Sequence, residues 1–115
     1  MQHVLNLVLV GNVGNNPELK TGAEGTKYTK LSVAHDHEWR SQGEKKKRTY
    51  WYDVLCWGTL AEIVVNKIRK GDSVLVQSDE IDSFTWVTPE GEPKSRVTIT
   101  ASKVTYLRSP SSQSV

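Results

Sequence analysis

The stretch Thr49-Tyr-Trp-Tyr-Asp-Val-Leu-Cys-Trp-Gly58 limits the possible folds of this chain more than any other segment. In an extended strand, residues two apart share a face. Trp51, Asp53, Leu55 and Trp57 therefore point one way, and Tyr50, Tyr52, Val54 and Cys56 the other. Large rings on both faces require either cover on both sides or a partner that takes the rings of one side. Immediately upstream lies Glu44-Lys-Lys-Lys-Arg48, a concentrated run of positive charge. Rings beside cations suit a single-stranded nucleic acid, whose bases stack on the rings while its phosphates pair with the cations.

The length of 115 residues fits one domain with a modest core. A net charge of +2 does not by itself imply a polyanionic partner, so the placement of charge matters more than its sum. Four Trp stand against a single Phe, a choice that favours rings meeting a partner over rings filling a core. Cys56 is the only cysteine, so no internal disulfide is possible, and its place on the strand reads as a small core residue. No leader pattern opens the sequence and no apolar run has the length of a membrane span. A cytoplasmic location is expected, or an organelle stroma after removal of a transit peptide.

Elsewhere the pattern alternates between strands and turns. Val4 to Val10 reads as a strand covered on both faces, ended by the turn-rich Gly11-Asn-Val-Gly-Asn-Asn-Pro17. Its two glycines lack the third glycine and the following helix of a phosphate cradle. Tyr28 to Ala34 predicts a second strand continuing towards Trp39. The polar segment Ser41 to Arg48, with Gly43 at a hairpin tip, predicts that the second strand and the Trp51 strand are neighbours joined by a long basic hairpin. Leu60, Ile63, Val64 and Ile68 recur at helical spacing, with Thr59 and Glu62 as a capping box and Arg69-Lys-Gly71 as the stop. A strand from Ser73 towards Trp86, a turn at Thr88 to Pro93, and a return strand from Ser95 to Leu107 complete the chain. Residues 1–107 form the expected domain and 108–115 a short polar tail. Three strands, a helix and two further strands give the order of an all-β, five-stranded Greek-key barrel of the oligonucleotide/oligosaccharide-binding (OB) type.

Several segments together resemble the bacterial single-stranded DNA-binding protein family. They are Asn6 to Glu18, Leu31-Ser-Val-Ala34 with Glu38-Trp-Arg40, Trp51 with Val54-Leu-Cys-Trp-Gly58, Leu60-Ala-Glu62 and Arg69-Lys-Gly71. The resemblance implies an OB barrel that assembles as a homotetramer and binds single-stranded DNA with little sequence preference, without enzymatic activity or cofactor. It implies base stacking at Trp39, Trp51, Trp57 and Trp86. Four departures stand out: Asn6 and Thr59 where the family has Lys, Asp53 where it can have a basic residue, and an acidic approach to Trp86, Asp79-Glu-Ile-Asp-Ser-Phe-Thr85, with an extra residue. The family's long tail with an acidic tip is absent from the sequence, so enzyme partners recruited through such a tail are not expected.

Each Trp also has a packing role open to it. For Trp57, which shares a face with Leu55, packing and stacking are equally compatible with the pattern. Trp39 and Trp86, with polar neighbours beside hairpins, read as stacking residues. Arg40, Lys45, Lys46, Lys47 and Arg48 are candidate phosphate contacts. Lys70 is a further candidate, although with Arg69 it is also explained by the helix C-terminus. His35 and His37 share a strand face, but two ligands do not make a metal site. No nucleophile–base pair is present to suggest an enzyme. Two function classes follow: a module that captures single-stranded DNA in replication, recombination or repair, and a tailless accessory protein of the primosomal type that binds DNA weakly and acts through protein partners. Asp53 and the acidic patch favour the second, and the four Trp the first.

Overall fold

The computed structural model describes residues 3–110; the first two residues of the expected domain and residues 111–115 of the expected tail lie outside the described residues. The chain forms β1 (Leu7–Val13), β2 (Lys20–Thr21), β3 (Lys27–Ser41), β4 (Glu44–Trp57), α1 (Thr59–Lys67), β5 (Ser73–Val87) and β6 (Pro93–Arg108). β1 pairs antiparallel with β5, from Leu7 opposite Ser78 to Asn12 opposite Ser73. β5 and β6 form a long antiparallel hairpin, and β3 and β4 another. β6 meets β4 in parallel only from Asp53–Thr98 to Leu55–Thr100. The circuit closes where Asn12 and Val13 of β1 pair with Ala34 and Val33 of β3. Five strands thus form the expected OB barrel, with β2 a two-residue addition beside β3.

The core follows from alternation. Leu31 and Val33 of β3, Val54 of β4, Val74 and Val76 of β5 and Ile99 of β6 are almost completely buried. Each such side chain contributes about 1.5–3 kcal/mol by leaving water. Ala61, Val64 and Ile68 bring α1 and its C-terminal residue onto the same cluster. The buried polar residues Thr29 and Asp72 are hydrogen-bonded: Thr29 Oγ1 donates to the Glu18 carbonyl at 2.8 Å, and Asp72 Oδ2 accepts from the Arg69 amide at 2.8 Å.

Three sequence expectations need correction. β1 starts at Leu7 and continues through Gly11 to Val13. It is covered on one face only, since Leu9 and Val13 are buried while Val8 and Val10 are 56% and 50% exposed. Its continuous apolar run imitates two-sided burial because the outward residues are apolar too. The Ser41–Arg48 segment forms the expected hairpin with Gly43 at its tip, and the pairing runs all the way to Ser41–Glu44. Gln42 and Gly43 have φ of 54° and 79°, the two positive values of a tight type I′ hairpin turn, and β4 begins at once with Glu44.

The helix begins at Thr59 as expected, but without the capping box. Gly58 is the N-cap, with φ 63°, and no side chain caps the end. That left-handed conformation, natural to glycine, turns β4 sharply into α1 and shifts Thr59 one position too far into the helix to cap it. At the other end the helix stops at Lys67, before the expected Arg69-Lys-Gly71 signal. Arg69 still acts there, its Nη1 donating to the carbonyls of Val65 at 2.6 Å and Ile68 at 2.8 Å.

The β5–β6 hairpin is interrupted near its base. Ser78 faces Ala101 and Glu80 faces Thr100, so Asp79 bulges out of the ladder. Ser78 Oγ lies 2.8 Å from the Glu80 carbonyl and 2.6 Å from the Thr100 carbonyl, pinning the irregularity.

Cys56 is fully buried on the inner face of β4, and burial pushes its thiol up to about 12. The native protein should therefore resist thiol-specific disulfide reagents at mildly alkaline pH and react stoichiometrically once denatured. Rapid modification of the native state would show that the barrel opens at β4.

Candidate nucleic-acid interface

Ladder register assigns every side chain of the two hairpins to a face, because directly opposed residues point the same way. Trp57 lies opposite Tyr28, Leu55 opposite Lys30, Asp53 opposite Ser32 and Trp51 opposite Ala34. All belong to the outer face of the barrel, since their neighbours Val54 and Cys56 are buried inside. Trp51 is 59% and Trp57 45% exposed. Trp57 leans on Tyr28, with ring centroids 5.1 Å apart, so part of its ring packs and part remains open. Trp51 rests against the backbone of Gly14: a Cβ there would meet the ring at 2.6 Å. A cavity of about 420 Å³ adjoins this floor, bordered by Asn15, Asn16, Tyr28, Lys30 and Leu55.

The basic run is split by being a strand. Lys45 opposes Arg40 and Lys47 opposes Glu38, on the face that carries Trp51 and Trp57. Lys46 opposes Trp39 and Arg48 opposes His37, on the other face. Lys45 pairs with Glu38 at 3.3 Å and Lys47 with Asp36 at 4.0 Å, exposed pairs of small energy. The second face holds a series of rings. His37 and Trp39 stack with centroids 5.7 Å apart, His35 and Tyr50 at 6.1 Å, and the Arg48 guanidinium lies 4.9 Å from the Tyr50 ring centroid. His35 Nδ1 is buried without a hydrogen-bond partner among the described residues. Trp39 therefore does not share the floor with Trp51 and Trp57; the hairpin presents rings and cations on both sides.

On the second hairpin, Phe84 opposes Arg96 and Trp86 opposes Lys94. These residues share the outer face with Thr98, and through the parallel register with Asp53. Phe84 and Trp86 stack at 5.8 Å, the former 65% and the latter 37% exposed. Arg96 Nε lies 2.8 Å from Asp53 Oδ2, and its guanidinium sits 6.0 Å from the centroid of Trp86. The carboxylate between the two Trp rings of β4 is thus neutralised from β6. Lys94 pairs with Glu92 at 3.5 Å.

Trp51, Trp57 and Trp86 are brought onto one face with Arg40, Lys45 and Lys47, while Trp39, Lys46 and Arg48 occupy the other side of the first hairpin. Lys70 lies on neither hairpin. It sits in the turn after α1, its amide donating to Asn16 Oδ1 at 2.9 Å. Among the described residues, no cluster of three or more His, Cys, Asp or Glu could hold a metal ion. The sequence reading passed over Tyr28, Phe84 and Arg96. Phe84 stands two residues before Trp86, a spacing that signals a shared face. Tyr28 and Arg96 depend on cross-strand register, which no local pattern carries.

The match to known proteins now decides the affiliation. The single-strand binding protein family matches residues 4–107. This chain belongs to that family. One relative, single-stranded DNA-binding protein 1 of Xylella fastidiosa (strain 9a5c), is 30% identical over 109 residues, covering 93% of this chain and 79% of the relative. A solved structure described as the Plasmodium falciparum SSB complex with ssDNA superposes with a TM-score of 0.74 at 26% identity, covering 93% of this chain and 97% of the other. No helix among the described residues is long and apolar enough to cross a membrane.

Replacing Gly14 by Ala should push the Trp51 ring away from the β1–β2 loop. The expected result is a shift in Trp emission with an unchanged far-ultraviolet circular dichroism spectrum. An unaltered emission spectrum would mean that the loop yields instead of the ring.

Proposed function

We propose that this protein binds single-stranded DNA with little sequence preference and acts by holding and shielding the strand in replication, recombination or repair. The observation that carries this reading is the set of open rings, Trp51, Trp57, Phe84 and Trp86, on one face with cations beside them. Faces of all bases stack on such rings, and a strand-borne cation meets a phosphate whatever the base. Membership of the single-strand binding family and likeness to a DNA-bound relative support it. Trp39, with Lys46 and Arg48, extends the surface round the first hairpin, so a bound strand passes from one side to the other. Lys70 and Arg40 add positive charge at its margins. The activity is binding rather than catalysis, and the location that fits it is the cytoplasm, with the nucleoid.

Assembly as a homotetramer belongs to the same proposal. Val8 and Val10 leave an exposed apolar strip on β1, flanked by the exposed Val4 and Leu5. The orphaned His35 Nδ1 borders the same region, in a recess with Leu7 to Val10. Mass in solution four times that of the chain is expected by light scattering; a monomer at working concentration would overturn the assembly while leaving binding to be judged separately.

Titration with oligo-dT should quench the Trp fluorescence strongly at low salt. The affinity should fall with salt at a log–log slope of about −0.7 per phosphate neutralised. Trp51→Ala and Trp86→Ala should each weaken binding by about 1–3 kcal/mol without loss of folding. A folded protein that shows no quenching at low salt would refute the reading.

A further inference from the structure

We propose that Arg96 is a phosphate-binding residue whose charge Asp53 holds in reserve, so that the entering strand must displace a built-in carboxylate. The inference rests on the single-strand-binding reading above and adds to it a competing anion within the groove. Asp53 lies on the groove floor between Trp51 and Trp57, its side chain only 15% exposed, and Arg96 Nε approaches it to 2.8 Å. Arg96 itself is 56% exposed and lies beside the Trp86 ring, where a base stacked on that ring would bring its phosphate within reach. Among the described residues, every other ion pair here joins side chains within one hairpin; this one joins the two hairpins. It lies just beyond the point where the backbone ladder between β4 and β6 begins, at Asp53–Thr98. A charged guanidinium with one edge taken and the rest open can exchange its carboxylate for a phosphate, since a planar carboxylate and a tetrahedral phosphate each offer a pair of anionic oxygens to the same donors.

The exchange has a specific ionic signature. When a phosphate takes Arg96, the strand releases condensed cation, but the freed Asp53 carboxylate takes up cation from solution. The two nearly cancel, so Arg96 adds strength of contact but almost no salt dependence. Without the carboxylate, the release is uncompensated and the slope steepens by about 0.7.

Oligo-dT titrations over a range of salt, read by Trp quenching, test this on the full chain and three variants: Asp53→Asn, Arg96→Gln and the double variant. Asp53→Asn should steepen the slope by about 0.7 and tighten binding about five-fold at 0.1 M salt, the 0.7 slope taken over the decade below 1 M. Arg96→Gln should weaken binding while leaving the slope of the parent. In the Arg96→Gln background, Asp53→Asn should lose most of its gain. An unchanged or weakened Asp53→Asn, or an equal gain in both backgrounds, overturns the exchange, because the carboxylate would then act as a spacer or as a general repulsive charge. Should Asp53→Asn fail to fold, Arg96→Gln decides alone: a slope flattened by about 0.7 overturns the proposal. Loss of quenching in the parent chain would refute the binding reading itself, and is distinguishable because it precedes any variant.

Discussion

The barrel depends on one close approach, that of β1 to β3. β1 runs along β5 for most of its length and pairs with β3 at its end, through Asn12 and Val13, with the Gly14 amide just beyond donating to the Ser32 carbonyl at 2.7 Å. A Cβ at Gly11 would collide with the Ala34 carbonyl, so the crossing is open only to a residue without a side chain. Closure at that point removes the free edges of the five barrel strands and encloses the Val- and Leu-rich core. It also fixes where β3–β4 and β5–β6 leave the barrel. The hairpins then project as paired arms, and the rings and cations they carry sit on strands instead of flexible loops.

Much of this was legible because β-structure writes its burial as alternation. The inward Val54 and Cys56, the outward Trp51 and Trp57, and the inward Ile99 follow from period two alone. The helix and its start were legible from spacing at Leu60, Ile63, Val64 and Ile68, though its cap and its C-terminal stop were not. The Thr59 cap failed because the turn at Gly58 is set by backbone geometry that composition does not reveal. The basic hairpin was legible from Gly43 at its tip, but not that the Lys45–Arg48 run is regular strand, because strands seldom carry consecutive charges. The run is a strand because a two-residue turn at Gln42–Gly43 zips the hairpin to its tip, where both faces meet water and charge costs little.

Asp53 illustrates the limit of reading charges one at a time. In the sequence it is an anion among rings, and it argued for an accessory role with weak DNA binding. Its partner Arg96 is 43 positions away, on a strand that touches β4 in parallel over three residues. Pairings of that kind depend on topology and register together. The acidic Glu80 and Asp82 do remain on the outer face of β5, opposite Thr100 and Thr98.

The bulge at Asp79 has a consequence for the reach of the second hairpin. Before it, the even-numbered residues of β5, Val74, Val76 and Ser78, point into the barrel; after it, the even-numbered Phe84 and Trp86 point out, while Ile81 lies opposite the buried Ile99. A single surplus residue thus acts as a phase inverter. An unbroken strand would carry the rings of the arm onto the side continuous with the core. The bulge at Asp79 is what turns the aromatic end of β5 towards the groove.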